Sequence, residues 1–153
     1  PPVPVIDRAR ARNVPIVIVD CHDYANKAAA EAIILTALQA RQIELVLLAG
    51  YMRIIGPTLL NAYAHKIINI HPALLPKFPG RHGIEDAFAA GVTETGVTIH
   101  YIDAGIDTGQ IIAQRVVPVA PDDTLDSLGN RIPDCEHQFY PDVVQPLINK
   151  GAI

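Results

Sequence analysis

Residues 67–80, Ile-Ile-Asn-Ile-His-Pro-Ala-Leu-Leu-Pro-Lys-Phe-Pro-Gly, limit what this chain can fold into more than any other stretch. The run opens with the β-branched residues Ile67, Ile68 and Ile70, as the end of a buried strand does. Pro72, Pro76 and Pro79 then fall within eight residues, and no helix or central strand continues through them. A buried strand must therefore give out into a rigid loop. Asn69 and His71 stand two apart, so a strand's period sends both side chains to one side. In open α/β sheets, reactive groups collect at the carboxyl ends of strands. A polar pair there can also do no more than satisfy loop backbone groups, and the local pattern leaves both roles open.

The rest of the chain supplies neighbours for such a strand. Val5 to Asn13 favours a helix, and Pro15-Ile16-Val17-Ile18-Val19-Asp20 predicts a parallel-sheet strand. After a turn at His22 and Asp23, the alanine-rich segment Ala25 to Arg41 carries Ile33, Ile34, Leu35 and Leu38 on one side, a helical pattern. Glu44 to Gly50 predicts a second buried strand. A helix starting near Pro57 runs through Tyr63, and the strand Lys66 to Ile70 follows. Ile84 to Ala90 reads as a helix ended by Gly91, with strands at Thr95 to Ile102 and Gln110 to Val119. Asp123 to Lys150 is helical, with interruptions expected at Pro133, Pro141 and Pro146. Strands and helices thus alternate before two strands meet through a short glycine-rich connection. The expectation is a Rossmann-like α/β domain spanning residues 1–153, with a mostly parallel sheet and an antiparallel pair in its C-terminal half.

Composition narrows the function. A chain of 153 residues suits one domain, and no apolar run is long enough to span a bilayer. Cys21 and Cys135 lack a CxxC partner, which fits a reducing cytosol, and the six histidines show no zinc-ligand spacing with a cysteine. A net charge of −4 argues against a general nucleic-acid surface. An anionic ligand would instead need local cations such as Arg53, Lys77 and Arg81. The opening Pro-Pro-Val-Pro, without methionine, reads as a chain entered partway through a domain.

Three stretches carry unusual polar residues at strand ends. Gly50 to Pro57 follows one strand, Asn69 and His71 close another, and Asp103 to Gly109 joins the last two. A lone aspartate among glycines is an ordinary turn residue. Beside His71, however, Asp107 would favour the imidazolium, while Asn69 would offer an amide to a developing oxyanion. No Gly-x-Ser-x-Gly elbow is present. An acid, its charged tuner and an oxyanion donor suit direct attack of an amine on an activated acyl group.

With Asn69 to Gly80, Gly-Tyr-Met-Arg-Ile-Ile at 50–55, Thr95 to Tyr101, Ile106 to Gly109, and Glu136-His137 before Tyr140-Pro141, the chain resembles the folate-dependent formyltransferases. Within them it is similar to the branch that formylates glycinamide ribonucleotide from 10-formyltetrahydrofolate in de novo purine biosynthesis. The resemblance covers nearly the whole chain. It implies that Asn69 holds the formyl oxygen, His71 donates a proton and Asp107 sustains the charge on His71. It implies folate contacts from Met52, Arg53, Ile54 and Ile55 on one wall and from Asp103, Ala104, Gly105, Ile106 and Asp107 on the other. Lys27 stands where the family often has an arginine near the folate tail, a cation without the bidentate fork. Glu136 matches a carboxylate that binds the nucleotide's ribose, whereas Cys135 matches packing. No metal, nucleic acid or membrane is implied, and a homodimer is left open.

The departures from the family pattern are an opening strand, a glycine-rich phosphate loop and its helix, roughly 30–40 residues, together with a C-terminal tail. The chain therefore reads as a trimmed formyltransferase whose first βα unit is missing. Ala73 also stands for a common serine, and Pro133 for a polar nucleotide contact. Two sister activities share the asparagine, histidine and aspartate. The formyltetrahydrofolate hydrolases typically show His-His-Ser-Phe-Leu-Pro, and the methionyl-tRNA formyltransferases His-Gly with a basic second domain; His71-Pro72-Ala73 matches neither. A catalytically idle folate-binding module is the rival from another class. His22 and His65 have no assigned role, and His82, beside the reactive loop, reads either as a contact to substrate phosphate or as a solvated surface residue. His100, on an alternating strand, reads as a hydrogen-bonded core residue.

Overall fold

Backbone N–H and C=O groups must find partners wherever they are buried, so each predicted strand stands or falls with its neighbour. The computed structural model describes residues 3–153, which divide into two compact units, residues up to Ile43 and Glu44–Ile153.

In the N-terminal unit, helix α1 (Pro4–Ala11) places its proline in the first turn, where the missing N–H costs nothing. A 3-10 turn at Cys21–Asp23 is capped by Asp20, whose carboxylate accepts from the His22 backbone N–H. Helix α2 (Lys27–Ala40) starts where the Asn26 side chain accepts from the N–H of Ala29. The predicted strand at 15–20 is not formed: the segment is irregular and joins no ladder. Val17 and Ile18 are exposed. The β-branched run has the composition of a strand, but among the described residues no strand lies beside it to take its hydrogen bonds.

The C-terminal unit holds a four-stranded sheet in the order β1 (Val46–Leu48), β2 (Ile67–His71), β3 (Glu94–Tyr101) and β4 (Ile111–Pro118). β1 and β2 are parallel, while β2–β3 and β3–β4 are antiparallel. The α/β class and the antiparallel C-terminal strands are as expected, but the sheet is mixed rather than mostly parallel: the 15–20 run adds no parallel strand, and β3 runs antiparallel to β2 as well as to β4. Helix α3 (Pro57–Ala62) connects β1 to β2, and α4 (Gly83–Ala89) connects β2 to β3. Helix α5 (Leu125–Asn149) is continuous across Pro133, Pro141 and Pro146, where interruptions were expected. Each of these prolines removes one N–H from the helix, and packing holds it regardless: Leu128, Ile132 and Phe139 join Ile68, Ile70, Val97, Ile99 and Val117 in one core. Burying an aliphatic side chain of this kind contributes about 1.5–3 kcal/mol. Its start is secured by a capping box, with Thr124 accepting from the Ser127 N–H and Ser127 from the Thr124 N–H.

Cys135 packs half-buried against this core, as expected of a packing residue. Tyr140, also on α5, shares its hydroxyl hydrogen between the carbonyls of Leu48 and Ile68, each 2.9 Å away. That contact ties the end of β1 to β2 one residue before Asn69.

Candidate active site

Alternation along β2 buries Ile68 and Ile70 in the core and turns Asn69 and His71 the other way. The antiparallel register then sets His100 opposite Asn69, and Thr98 opposite His71. Residues opposed in this way share a face of the sheet. The loop between β3 and β4 returns Asp107 to the same place. Asp107 has a φ of +53°, in the left-handed region that aspartate tolerates better than most residues.

The three side chains singled out in the sequence converge. His71, 3 % exposed, has Nδ1 3.5 Å from Asp107 Oδ2, and its Nε2 lies 2.8 Å from the Phe78 carbonyl. A carbonyl only accepts, so Nε2 carries a hydrogen and Nδ1 is the nitrogen free to gain or lose one. Asp107 Oδ2 also accepts from the Gly80 N–H at 2.7 Å. Gly80 has a φ of +91°, which suits glycine at the turn that aims its N–H at this carboxylate.

His100 is more than the core residue its strand position suggests. It is fully buried, and its Nε2 lies 3.6 Å from Asp107 Oδ1 and 3.5 Å from Asn69 Nδ2. Nδ1 donates to the Tyr101 carbonyl at 2.9 Å. Burial pushes its pKa down, which favours the neutral ring with a bare Nε2. A bare Nε2 accepts, so the nitrogen of the Asn69 amide turns toward it and keeps a second hydrogen for another acceptor. The cross-strand pairing that brings His100 under Asn69 is a tertiary fact with no local sequence signal.

Asn69, His71 and Asp107 border a cavity of about 330 Å³. One wall is the 50–55 segment after β1, with Met52, Arg53, Ile54 and Ile55. The other is Asp103, Gly105, Ile106 and Asp107. Ala104, in the same loop, is exposed and does not line the cavity. Asp103 shapes that loop: Oδ1 accepts from the Gly105 N–H and the Thr108 hydroxyl, and the Thr108 bond leads in holding its pKa down. Met52, Ile54 and Ile106 are all exposed. Three large apolar side chains left uncovered beside a polar end suit a flat ligand with a reactive tip. Glu136 reaches the cavity from α5, and burial pushes its carboxyl up to about 7. Tyr51, Pro72, Gly80 and Arg81 also line the cavity; the sequence marks the first three only as parts of the 50–57 and 67–80 stretches, with no contact of their own, and Arg81 as a possible cation. Lys27 stands in the N-terminal unit, an exposed side chain that opens α2. His82 is exposed, just before α4. Among the described residues, no three His, Cys, Asp or Glu side chains gather as metal ligands would.

Known proteins are similar to this chain in sequence and in fold. The family model described as formyl transferase matches residues 2–144. A phosphoribosylglycinamide formyltransferase of Bacillus subtilis (strain 168) is 49% identical over 154 residues, covering 99% of this chain and 79% of the relative. The crystal structure of phosphoribosylglycinamide formyltransferase from Bacillus halodurans is similar at a TM-score of 0.94 and 47% identity, over 99% of this chain and 78% of that one. Glycinamide ribonucleotide transformylase 1 from Geobacillus kaustophilus is 55% identical at a TM-score of 0.90, over 94% and 76%. Matched in sequence along nearly its whole length and in fold at these scores, the chain belongs to the formyl transferase family.

Proposed function

We propose that this chain transfers the formyl group of 10-formyltetrahydrofolate to the amine of glycinamide ribonucleotide, a step of purine biosynthesis. One observation carries the reading: Asn69, His71 and Asp107 meet at the polar end of an apolar-walled cavity of about 330 Å³, large enough for a small ligand. The names of the similar proteins support the choice of substrates.

Attack by the amine on the formyl carbon builds negative charge on the formyl oxygen. The free hydrogen of Asn69 Nδ2 donates to that oxygen, and preorganised donors of this kind usually lower the barrier more than any other single effect in such catalysis. His71 Nδ1 is the nitrogen that delivers a proton, since Nε2 is committed to the Phe78 carbonyl. Asp107 keeps the charged ring favourable while that proton is held. As the bond between formyl carbon and folate nitrogen breaks, the proton from His71 goes to the departing nitrogen. The proton lost by the attacking amine restores the imidazolium.

Met52 to Ile55 on one side and Asp103, Gly105, Ile106 and Asp107 on the other wall the folate slot, and Glu136 accepts from the ribose hydroxyls. The assignment of Lys27 to the folate tail is carried by the family resemblance. Residues 1–153 act as part of one formyltransferase domain, in keeping with a family model that matches residues 2–144. A cytoplasmic location accords with two free cysteines.

The test is to incubate the chain with both substrates and follow formylglycinamide ribonucleotide and tetrahydrofolate. Equal release of the two is expected. Formate in place of the formylated nucleotide would make the protein a hydrolase, and no turnover with intact folate binding would make it a binding module.

A further inference from the structure

The loop between β2 and α4 has no regular structure of its own, yet it aims the Phe78 carbonyl at His71. Its buried backbone groups are held by two side chains that lie outside the cavity. Thr98 Oγ1 donates to the Ala73 carbonyl at 2.7 Å and accepts from the Leu75 N–H at 3.0 Å. Gln114 Nε2 donates to the Leu75 carbonyl at 2.8 Å and to Thr98 Oγ1 at 2.9 Å. The hydroxyl has one hydrogen and two lone pairs, and all three are used. Both hydrogens of the amide nitrogen are used as well. This four-bond clamp leaves no freedom in hydroxyl or amide.

The sheet register explains why these residues meet. His71 opposes Thr98 across β2–β3, and Thr98 opposes Gln114 across β3–β4. The three lie abreast on one face, in a row running from His71 to the edge strand. The loop leaves the row at His71, is gripped at Ala73 and Leu75, and comes back through Phe78. Phe78 has a φ of +52°, a left-handed conformation that a bulky residue keeps only where its surroundings impose it.

We propose that Thr98 and Gln114 are positioning residues that set the tautomer of His71 by holding the Phe78 carbonyl against Nε2. With that carbonyl in place, Nε2 keeps its hydrogen, and Nδ1 faces Asp107 and the cavity. With the clamp released, either nitrogen can carry the hydrogen and the reactive edge is no longer defined.

The experiment uses the full chain and the variants Thr98→Val, Thr98→Ser and Gln114→Glu. Nitrogen-15 spectra of the His71 ring, read at high pH where the ring is neutral, should show a protonated Nε2 and a bare Nδ1 in the parent chain and in Thr98→Ser. Thr98→Val and Gln114→Glu should shift toward a mixture of the two tautomers. The kinetic arm rests on the formyl-transfer reading. In it kcat should fall about tenfold to a hundredfold in Thr98→Val, as misplacement of a reacting group does. Thr98→Ser should stay within about twofold of the parent, as should KM for both substrates in every variant. Parent-like nitrogen spectra in both Thr98→Val and Gln114→Glu would overturn the proposal. A parent chain without formyl transfer would sink the activity instead, and the spectra would still decide the clamp. Gln114 is exposed on the edge strand, so Gln114→Glu supplies a folded sample should Thr98→Val fail to fold.

Discussion

Residues 16–19, Ile-Val-Ile-Val, and residues 67–70, Ile-Ile-Asn-Ile, are close in composition and opposite in fate. The second run pairs on both sides, parallel to β1 and antiparallel to β3, and Ile68 is wholly buried beneath α5. The first joins no ladder, and Ile18 is 70 % exposed. β-propensity describes a side chain that fits a half-buried pleated surface, and it does not supply the surface. What separates the two runs is their neighbours. The paired run is rigid enough to present Asn69 and His71, and the candidate chemistry gathers at its end.

The hardest blow to that contrast would fall on His71. His71→Ala should lower kcat about 10²- to 10⁴-fold, the usual worth of a general acid. Adding Asp107→Asn should cost little more, because groups that act as a unit are not additive. Near-parent turnover in the single variant, measured at saturating substrate, would separate the end of the paired strand from the chemistry.

Next in size is the packing of the paired run itself. Ile68→Ala should cost about 2–5 kcal/mol of stability, since a fully buried side chain leaves a cavity that its neighbours only partly close. Denaturant titration of the variant measures it. A loss below about 1 kcal/mol would mean the core beneath α5 repacks freely, and burial would no longer explain why this run is ordered.

How much of this was legible in the sequence follows the same division. Asn69, His71 and Asp107 could be named because each sits beside a distinctive loop, Pro72 to Gly80 or Asp103 to Gly109, whose composition signals a turn at a strand end. Their separation of 3.5 Å across the imidazole and carboxylate could not be read, nor could the presence of His100 beneath Asn69. Both depend on which strands pair and in what register. The 15–20 run misled for the same reason: periodicity sees a side-chain pattern and not a partner. Helix α5 misled in the other direction, because three prolines argue locally for breaks while the apolar stripe through Leu128, Ile132 and Phe139 holds the helix together.

Burial near the site also has a cost, which gives the third test. An ordinary glutamate titrates near 4.5, and burial moves Glu136 up to about 7. Between those values the folded chain keeps a proton that the unfolded chain has lost. Stability from this group is therefore fully present below about pH 4.5, falls as pH rises to about 7, and is level beyond. Glu136→Gln removes the titration. At pH 8 the variant should be more stable than the parent by on the order of 1–3 kcal/mol, and at pH 4 the two should coincide. An equal offset at both pH values would trace the difference to packing, and the burial of this carboxylate would no longer be its cause.

The smallest effect is the one that bears most directly on the exposed run. Ile18→Ser should change stability by no more than about 0.5 kcal/mol, because a side chain already in water has little transfer energy to lose. The same substitution in the paired run would place an unpartnered hydroxyl in the core as well as a cavity, so the two serine variants, compared by denaturant midpoint, should lie several kcal/mol apart. Should Ile18→Ser cost as much as Ile68→Ala, the first run would have to be packed in solution against something that takes its hydrogen bonds. Its sequence would then have been a true strand signal, and the distinction between the two runs would lie in when each finds its partner.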